Sequence, residues 1–256
     1  MNGICFWFWE LHSVNSISFG KKEKGSKLSK TKLFSGGKKG FGGKKGGNFP
    51  FILFNSTKKE VLNEQKTISL ETGESPFAVP VIHLLLSHPE KGIYTVQRAN
   101  KSENPYLWCK PVGGHISSGE TEDSTLIREG QEEIKTDIIL ANSEEEYLNL
   151  ISNDSLTKHA IVRKIDFQPW LGAYRLDRDT GKMWMKRTRT HIYAGVYRGK
   201  IGFTQTTDQE EFNDGLGEAV GVKIYKKEDL DKLLLEKNNT FTEDFKTLFR
   251  DYKELL

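Results

Sequence analysis

The pattern of apolar and polar positions changes character along the chain. An apolar burst, Ile4-Cys5-Phe6-Trp7-Phe8-Trp9, ends at Glu10. From 21 to 48 the chain is rich in Lys, Gly and Ser, and Gly-Gly-Lys-Lys recurs at 36–39 and 42–45. Such a stretch cannot bury enough apolar surface to offset its chain entropy, so residues 1–50 are expected to form a disordered arm. Residues 51–76 read as a linker or lead-in element. Residues 77–86 are close to continuously apolar, which predicts a buried strand. His88-Pro89-Glu90-Lys91-Gly92 is a turn, and 93–98 alternates as a second strand. Further strands are predicted over 158–166, 170–176, 191–197 and 220–225, with a hairpin turn at Asp179-Thr180-Gly181-Lys182. Helical spacing marks 121–135, 143–151, 228–235 and 243–255, the last with Thr242 as N-cap and an acidic first turn. Regular βαβα alternation is absent. The pattern predicts an α/β chain with a mixed sheet and a few packed helices over 77–256.

Charge sharpens the division. Residues 1–50 hold ten lysines, no arginine and two acids, a net +8 in a chain of +3, which leaves −5 on the remainder. A basic arm therefore precedes an acidic body. The arm could tether RNA or an anionic membrane, although solvated basic arms are common. No apolar run approaches the roughly 18 residues that a membrane span needs. Two cysteines, Cys5 and Cys109, cannot build a disulfide framework or a four-cysteine zinc site, and a reducing, cytoplasmic setting is expected.

The helix over 121–135 and the loop before it carry the chemistry. Glu129, Glu132 and Glu133 stand at i, i+3 and i+4 and share one helix face. Leu126, Ile127, Gly130 and Ile134 are expected on the opposite, core-facing side. Three carboxylates in one turn repel, each close pair costing about 1 kcal/mol even in bulk water. A hard divalent cation with oxygen ligands would compensate them; a solvated acidic face is the alternative. Gly113, Gly114 and Gly119 permit a tight backbone path in the loop. Glu120 lies eight residues before Arg128 and can pin loop to helix through a bidentate pair.

Gly114, five residues, Glu120, seven residues, then Arg128-Glu129-x-x-Glu132-Glu133 resembles the Nudix box. The box spans 114–136, and the flanking elements extend the likeness over 77–256. Three positions depart from the family pattern. Gly130 replaces a bulky aliphatic residue, Lys135 stands where a glycine ends the helix, and Thr136 replaces the last aliphatic position. The resemblance implies an α/β/α sandwich around a mixed sheet. It also implies a Mg²⁺- or Mn²⁺-dependent pyrophosphohydrolase that cleaves a phosphoanhydride in a nucleoside diphosphate linked to another group. On that reading Glu129, Glu132 and Glu133 hold metal, with the Gly113 carbonyl and a distal acid as further ligands. Glu218 is the chosen distal acid, with Glu210 and Glu211 as rivals. Glu120 and Arg128 are structural partners within the catalytic segment.

Trp108, His115 and Arg98 are candidate contacts to a nucleotide-derived substrate. Tyr106, Tyr174 and Trp184 could stack in the same way, and Arg175, Lys186 and Arg187 could meet phosphates, though each is expected as an ordinary packing or surface residue. Two other functions share the resemblance. An isopentenyl-diphosphate isomerase would need a protonating cysteine, for which Cys109 is at hand, and a histidine-rich metal site. A nucleotide-sensing module that does not cleave would typically have lost the box carboxylates, which are retained. Substrate choice is assigned to the segments 141–159 and 200–217, neither with a readable motif. A homodimer is the prior expectation for assembly.

Overall fold

The computed structural model describes residues 58–75, 77–100, 103–177, 179–201, 219–236 and 238–256. The proposed basic arm lies outside them, as do the candidate acids Glu210, Glu211 and Glu218.

The lead-in segment contains a helix, α1 (Lys58–Thr72), followed by strands β1 (Val79–His88) and β2 (Gly92–Arg98). Short strands β3 (Trp108–Cys109) and β4 (Val112–His115) lead to α2 (Glu122–Glu129), which runs on into a π turn over Gly130–Ile134. Then come β5 (Asp137–Ala141), α3 (Glu144–Ile151), β6 (His159–Leu176), β7 (Met183–Val196), β8 (Ala219–Tyr225), α4 (Lys227–Glu236) and α5 (Glu243–Tyr252). The sheet order is β3-β2-β1-β7-β6-β5, with β4 also paired to β1 and β8 to β2. Pairs β1–β7 and β5–β6 are parallel and the others antiparallel, so the sheet is mixed as expected.

β1 is apolar on both faces because both are covered. Ile82, Leu84 and Leu86 join Leu126 of α2, Ile134 of the π turn and Ile138 in one cluster. Leu85 joins Phe245, Leu248 and Phe249 of α5 and Leu230 of α4 in another. Helices thus flank the sheet on both sides, which is the sandwich the box implied. α1 packs Val61 against Phe77 and Val79, and Gln65 donates to the carbonyls of Phe77 (2.8 Å) and Arg187 (2.9 Å). Nothing in its weak amphipathic pattern announced this docking.

Four expectations need correction. The strands over 158–166 and 170–176 are one strand, β6, whose ladder with β7 shifts register between Lys164 and Asp166 and between Gln168 and Leu171. The second bulge accommodates Pro169, which has no N–H to give to the ladder. β7 begins at Met183, well before 191, because β6 supplies a partner along its length. Thr242 has N-cap backbone geometry, but its side chain makes no capping hydrogen bond. Ile127 is 41% exposed, whereas Leu126, Gly130 and Ile134 are buried. The core stripe is the i, i+4, i+8 row, and Ile127 is turned out of it.

The π turn accounts for the three departures in the box. A Cβ on Gly130 would stand 2.3 Å from Cδ1 of Ile138, so Ile138 fills the place of the missing aliphatic side chain. Lys135 closes the turn in the left-handed region (φ 54°, ψ 39°), and its Nζ donates to the Glu132 carbonyl at 2.9 Å. Thr136 is buried, and its hydroxyl donates to Tyr197 Oη at 2.7 Å. A left-handed lysine costs about 1 kcal/mol. Lys135→Gly is therefore expected to raise stability by up to about 1 kcal/mol, seen as a higher denaturant midpoint at unchanged slope. A lower midpoint would show that the Lys135–Glu132 bond outweighs the backbone strain.

Candidate active site

Local chemistry builds α2 at the edge of the cleft. Thr121 and Ser124 cap the helix reciprocally, and Glu122 and Asp123 sit in the first turn, where the helix dipole favours acids. Tyr193 Oη donates to Asp123 at 2.7 Å and Lys164 Nζ to Glu122 at 2.9 Å, tying the helix start to β7 and β6. Just before the cap, Glu120 accepts from Arg128 Nε (2.7 Å) and Nη2 (3.0 Å) at the far end of the helix, and from the Ser117 amide (3.0 Å) and the Thr125 hydroxyl (3.1 Å). The Arg128 and Ser117 hydrogen bonds lead in pulling the Glu120 carboxyl down to about 2. The loop is thereby clamped to the helix.

Arg128 does more than grip the loop. Its Nη1 donates to Glu129 at 2.9 Å and to Glu132 at 3.1 Å. The Gly113 amide donates to Glu133 Oε2 at 2.8 Å. Carboxylate repulsion is therefore relieved partly by the protein's own cation and a backbone dipole. Among the described residues no three His, Cys, Asp or Glu side chains stand close enough together to enclose an ion. The π turn begins between Glu129 and Glu132, so the three glutamates do not stand on one regular α-helical turn.

The donor chemistry nevertheless suits a hard cation: carboxylate oxygens and a glycine carbonyl. Gly114 provides a cradle for the first of them. A Cβ there would lie 1.9 Å from Glu129 Oε1 and 2.4 Å from its Cγ, so the bare backbone lets a side chain from a buried residue, only 7% exposed, lie against β4. Gly114→Ala is expected to displace that carboxylate and lower turnover on the order of 10²-fold, with the thermal midpoint much less affected. Unchanged turnover in steady-state assays would remove Glu129 from the machinery.

Beside Glu133, Gly113, Gly114 and His115 opens a cleft of about 220 Å³. Its far wall is a charge cluster on Asp244 of α5, itself 2% exposed. Asp244 receives Lys110 Nζ at 2.5 Å and Arg175 through Nη1 and Nη2, both at 2.9 Å, while His83 Nε2 lies 3.9 Å away. Burial pushes the Asp244 carboxyl up, but Arg175 and Lys110 outweigh it and hold the group well below the usual carboxylate range. Burial, aided by Lys110, keeps His83 well below its usual value, hence neutral. Lys186 Nζ lies 3.7 Å from Glu103, and burial brings its ammonium down to about 8.

Of the substrate-contact candidates, Arg98 and His115 line this cleft. Trp108 does not: it stacks edge-on to Tyr225 (6.4 Å, 87°) beside the α5 core. Tyr106 and Tyr174 are exposed, and Trp184 is buried. Arg175 and Lys186, expected on the surface, are buried cleft residues, whereas Arg187 lies over the Trp170 ring at 5.3 Å. Cys109 is buried too, and burial pushes its thiol up, so it stays protonated. Asp244, Lys110 and His83 went unnoticed in the sequence, where they are single polar residues without a motif.

A family model for the NUDIX domain matches residues 76–245. The chain belongs to the NUDIX family. It is accordingly a hydrolase acting on phosphoanhydrides. Comparison of this NUDIX chain with curated proteins finds no match. Among solved structures it is similar to a MutT protein from Methanosarcina mazei Go1, at 14% identity over 70% of this chain and 94% of that one, with a TM-score of 0.41. It is also similar to the NUDIX domain of Shewanella oneidensis NrtR complexed with ADP ribose, at 14% identity, 78% and 99% coverage and a TM-score of 0.40. A third is the bifunctional NMN adenylyltransferase/ADP ribose pyrophosphatase of Francisella tularensis complexed with AMP and Mn, at 20% identity, 77% and 47% coverage and a TM-score of 0.41. No helix of the described residues is long and apolar enough to cross a membrane.

Proposed function

We propose that this NUDIX chain is a Mg²⁺- or Mn²⁺-dependent pyrophosphohydrolase acting on a nucleoside diphosphate linked to a further group. The observation that carries the reading is the clamped box. Glu120 and Arg128 lock the loop to α2, and Glu129, Glu132 and Glu133 follow at the end of the same helix, with Glu133 lining the charged cleft. Glu129, Glu132, Glu133 and the Gly113 carbonyl would hold the metal. Glu218 remains the proposed distal ligand and lies outside the described residues. A bound divalent ion lowers the pKa of water and neutralises phosphate charge.

The chain's own residues do the positioning. Arg128 holds the orientation of two carboxylates, and the Gly113 amide holds the third. Arg98 and His115 face the cleft in which the substrate's phosphates would lie. A wall of buried charged residues strengthens each electrostatic contact with them. The all-carboxylate donor set does not favour the isomerase, which would need a histidine-rich metal site. The retained carboxylates do not favour a sensor.

The test is a substrate panel with Mg²⁺, with Mn²⁺ and with EDTA. It includes nucleoside triphosphates, nucleotide sugars, dinucleotides, dinucleoside polyphosphates, capped RNA and isopentenyl diphosphate. Metal-dependent release of phosphate, pyrophosphate or nucleoside monophosphate from one class is expected. Nucleotide binding without cleavage of any would overturn the hydrolase in favour of a sensor.

A further inference from the structure

The cleft between the box and α5 is lined with charge to an unusual degree. Arg98 from β2, Lys110 after β3, Arg175 from β6 and Lys186 from β7 face Glu103, Glu133 and Asp244. Arg175 and Lys186 are each only 9% exposed. Among the described residues lining it, four cations thus meet three carboxylates. One of the three, Asp244, is shared by two of the cations, and Glu103 stands 3.7 Å from Lys186, beyond a good hydrogen bond. Burying charge without full compensation is costly, and an anionic ligand would supply what is missing.

Size and lining narrow the ligand. Pockets that engulf drug-sized molecules run to about 300–1,000 Å³, and this cleft has about 220 Å³. Among the described residues lining it there is no Phe, Tyr or Trp on which a base could stack. The cleft suits a tetrahedral oxyanion or a short chain of them far better than a purine or pyrimidine.

We propose that the cleft binds a compact phosphate-class anion, the end of the substrate remote from its nucleoside, with Lys186 and Arg98 as specificity-determining contacts and the base left outside. This rests on the hydrolase reading for the word substrate, but the anion site itself does not. The group beyond the scissile phosphoanhydride is then itself anionic: the terminal phosphate of a nucleoside polyphosphate, or a phosphate on a linked sugar. Asp244 acts as a positioning residue that aims Lys110 and Arg175 along the cleft wall.

Lys186 gives the site a pH signature. The charged groups facing it are Glu103 before β3, Arg98 of β2, Arg175 of β6 and Asp244 of α5, while α1 presents Leu62. Its ammonium titrates near 8, so it is charged at pH 7 and mostly neutral at pH 9.

The experiment is calorimetric titration of the full chain with inorganic pyrophosphate in EDTA, where the carboxylates hold no metal. Wild type is expected to bind at pH 7, and Lys186→Met to bind at least about tenfold more weakly. Lys186→Arg should retain binding and lose less affinity than wild type between pH 7 and 9, a comparison that cancels the probe's own titration. Absence of binding by wild type, or equal binding by Lys186→Met with a native circular-dichroism spectrum, would overturn the proposal. In turnover assays Lys186→Met should penalise a nucleoside triphosphate or a phosphosugar nucleotide and spare a nucleotide with a neutral sugar; whichever of the first two loses more identifies the source of the anion. An equal penalty on all three counts against the site. Pyrophosphate binding with no cleavage of any substrate leaves the anion site standing and removes the hydrolase. Cleavage with binding indifferent to Lys186 does the reverse.

Discussion

Glu133→Gln is expected to leave the fold intact and to lower kcat by about 10³-fold, the upper range for losing one electrostatic group at a reacting centre. The structure separates the two roles of this residue. Its Oε2 accepts from the Gly113 amide at 2.8 Å, and the glutamine carbonyl can accept the same bond. What glutamine cannot supply is the negative charge that a divalent ion requires. The thermal midpoint without metal should therefore stay close to that of wild type, while the rise in midpoint caused by added Mn²⁺ should shrink. A variant that turns over like wild type would remove Glu133 from the proposed metal site, and with it the proposed orientation of substrate along the cleft. A variant that unfolds would show that the charge on Glu133 is structural.

The second large effect falls on stability. Asp244→Ala removes the one carboxylate shared by Lys110 and Arg175, which are then buried without their counter-ion. Breaking a buried pair by deleting one partner costs about 3–5 kcal/mol. The loss should appear as a lower denaturant midpoint at unchanged slope, and as weaker anion binding in whatever fraction still folds. The linkage has a definite sign. The folded carboxyl is held well below its ordinary value by Arg175 and Lys110 against the burial that raises it. Its stabilisation is thus fully present above the unfolded value of about 4 and is lost only as pH falls toward the depressed folded one. Wild type should lose stability through this acid range more steeply than Asp244→Ala. Parallel acid profiles would mean that Asp244 is not the counter-ion the geometry makes it.

Glu120 contributes in the same direction and range, because its folded carboxyl is down near 2 through Arg128 and Ser117. It is more exposed than Asp244, and salt screens exposed pairs. Salt should therefore flatten the Glu120 part of the acid profile first.

Local sequence determined the parts of this protein whose partners are near in the chain. The box is such a part: Glu120 meets Arg128 across eight residues, and one helix carries Glu129, Glu132 and Glu133. The apolar run of β1, the turn at 88–92 and the capped start of α2 follow from the same short-range rules of periodicity, turn chemistry and capping. Even the departures at Gly130, Lys135 and Thr136 were visible as departures. Their explanation was not, because Ile138, Tyr197 and the left-handed backbone enter only when the helix packs. Tertiary structure decided the rest. It joined two apparent strands into β6 once β7 offered a continuous ladder, and it drew α1 into the core. It also made the cleft. Lys110 and Asp244 are 134 residues apart, and Arg175 and Asp244 are 69 apart. No pattern along the chain marks a lone lysine or aspartate as buried. Their meaning comes from the sheet, which brings β1, β6 and β7 under α5 and takes charges that look like surface residues out of water.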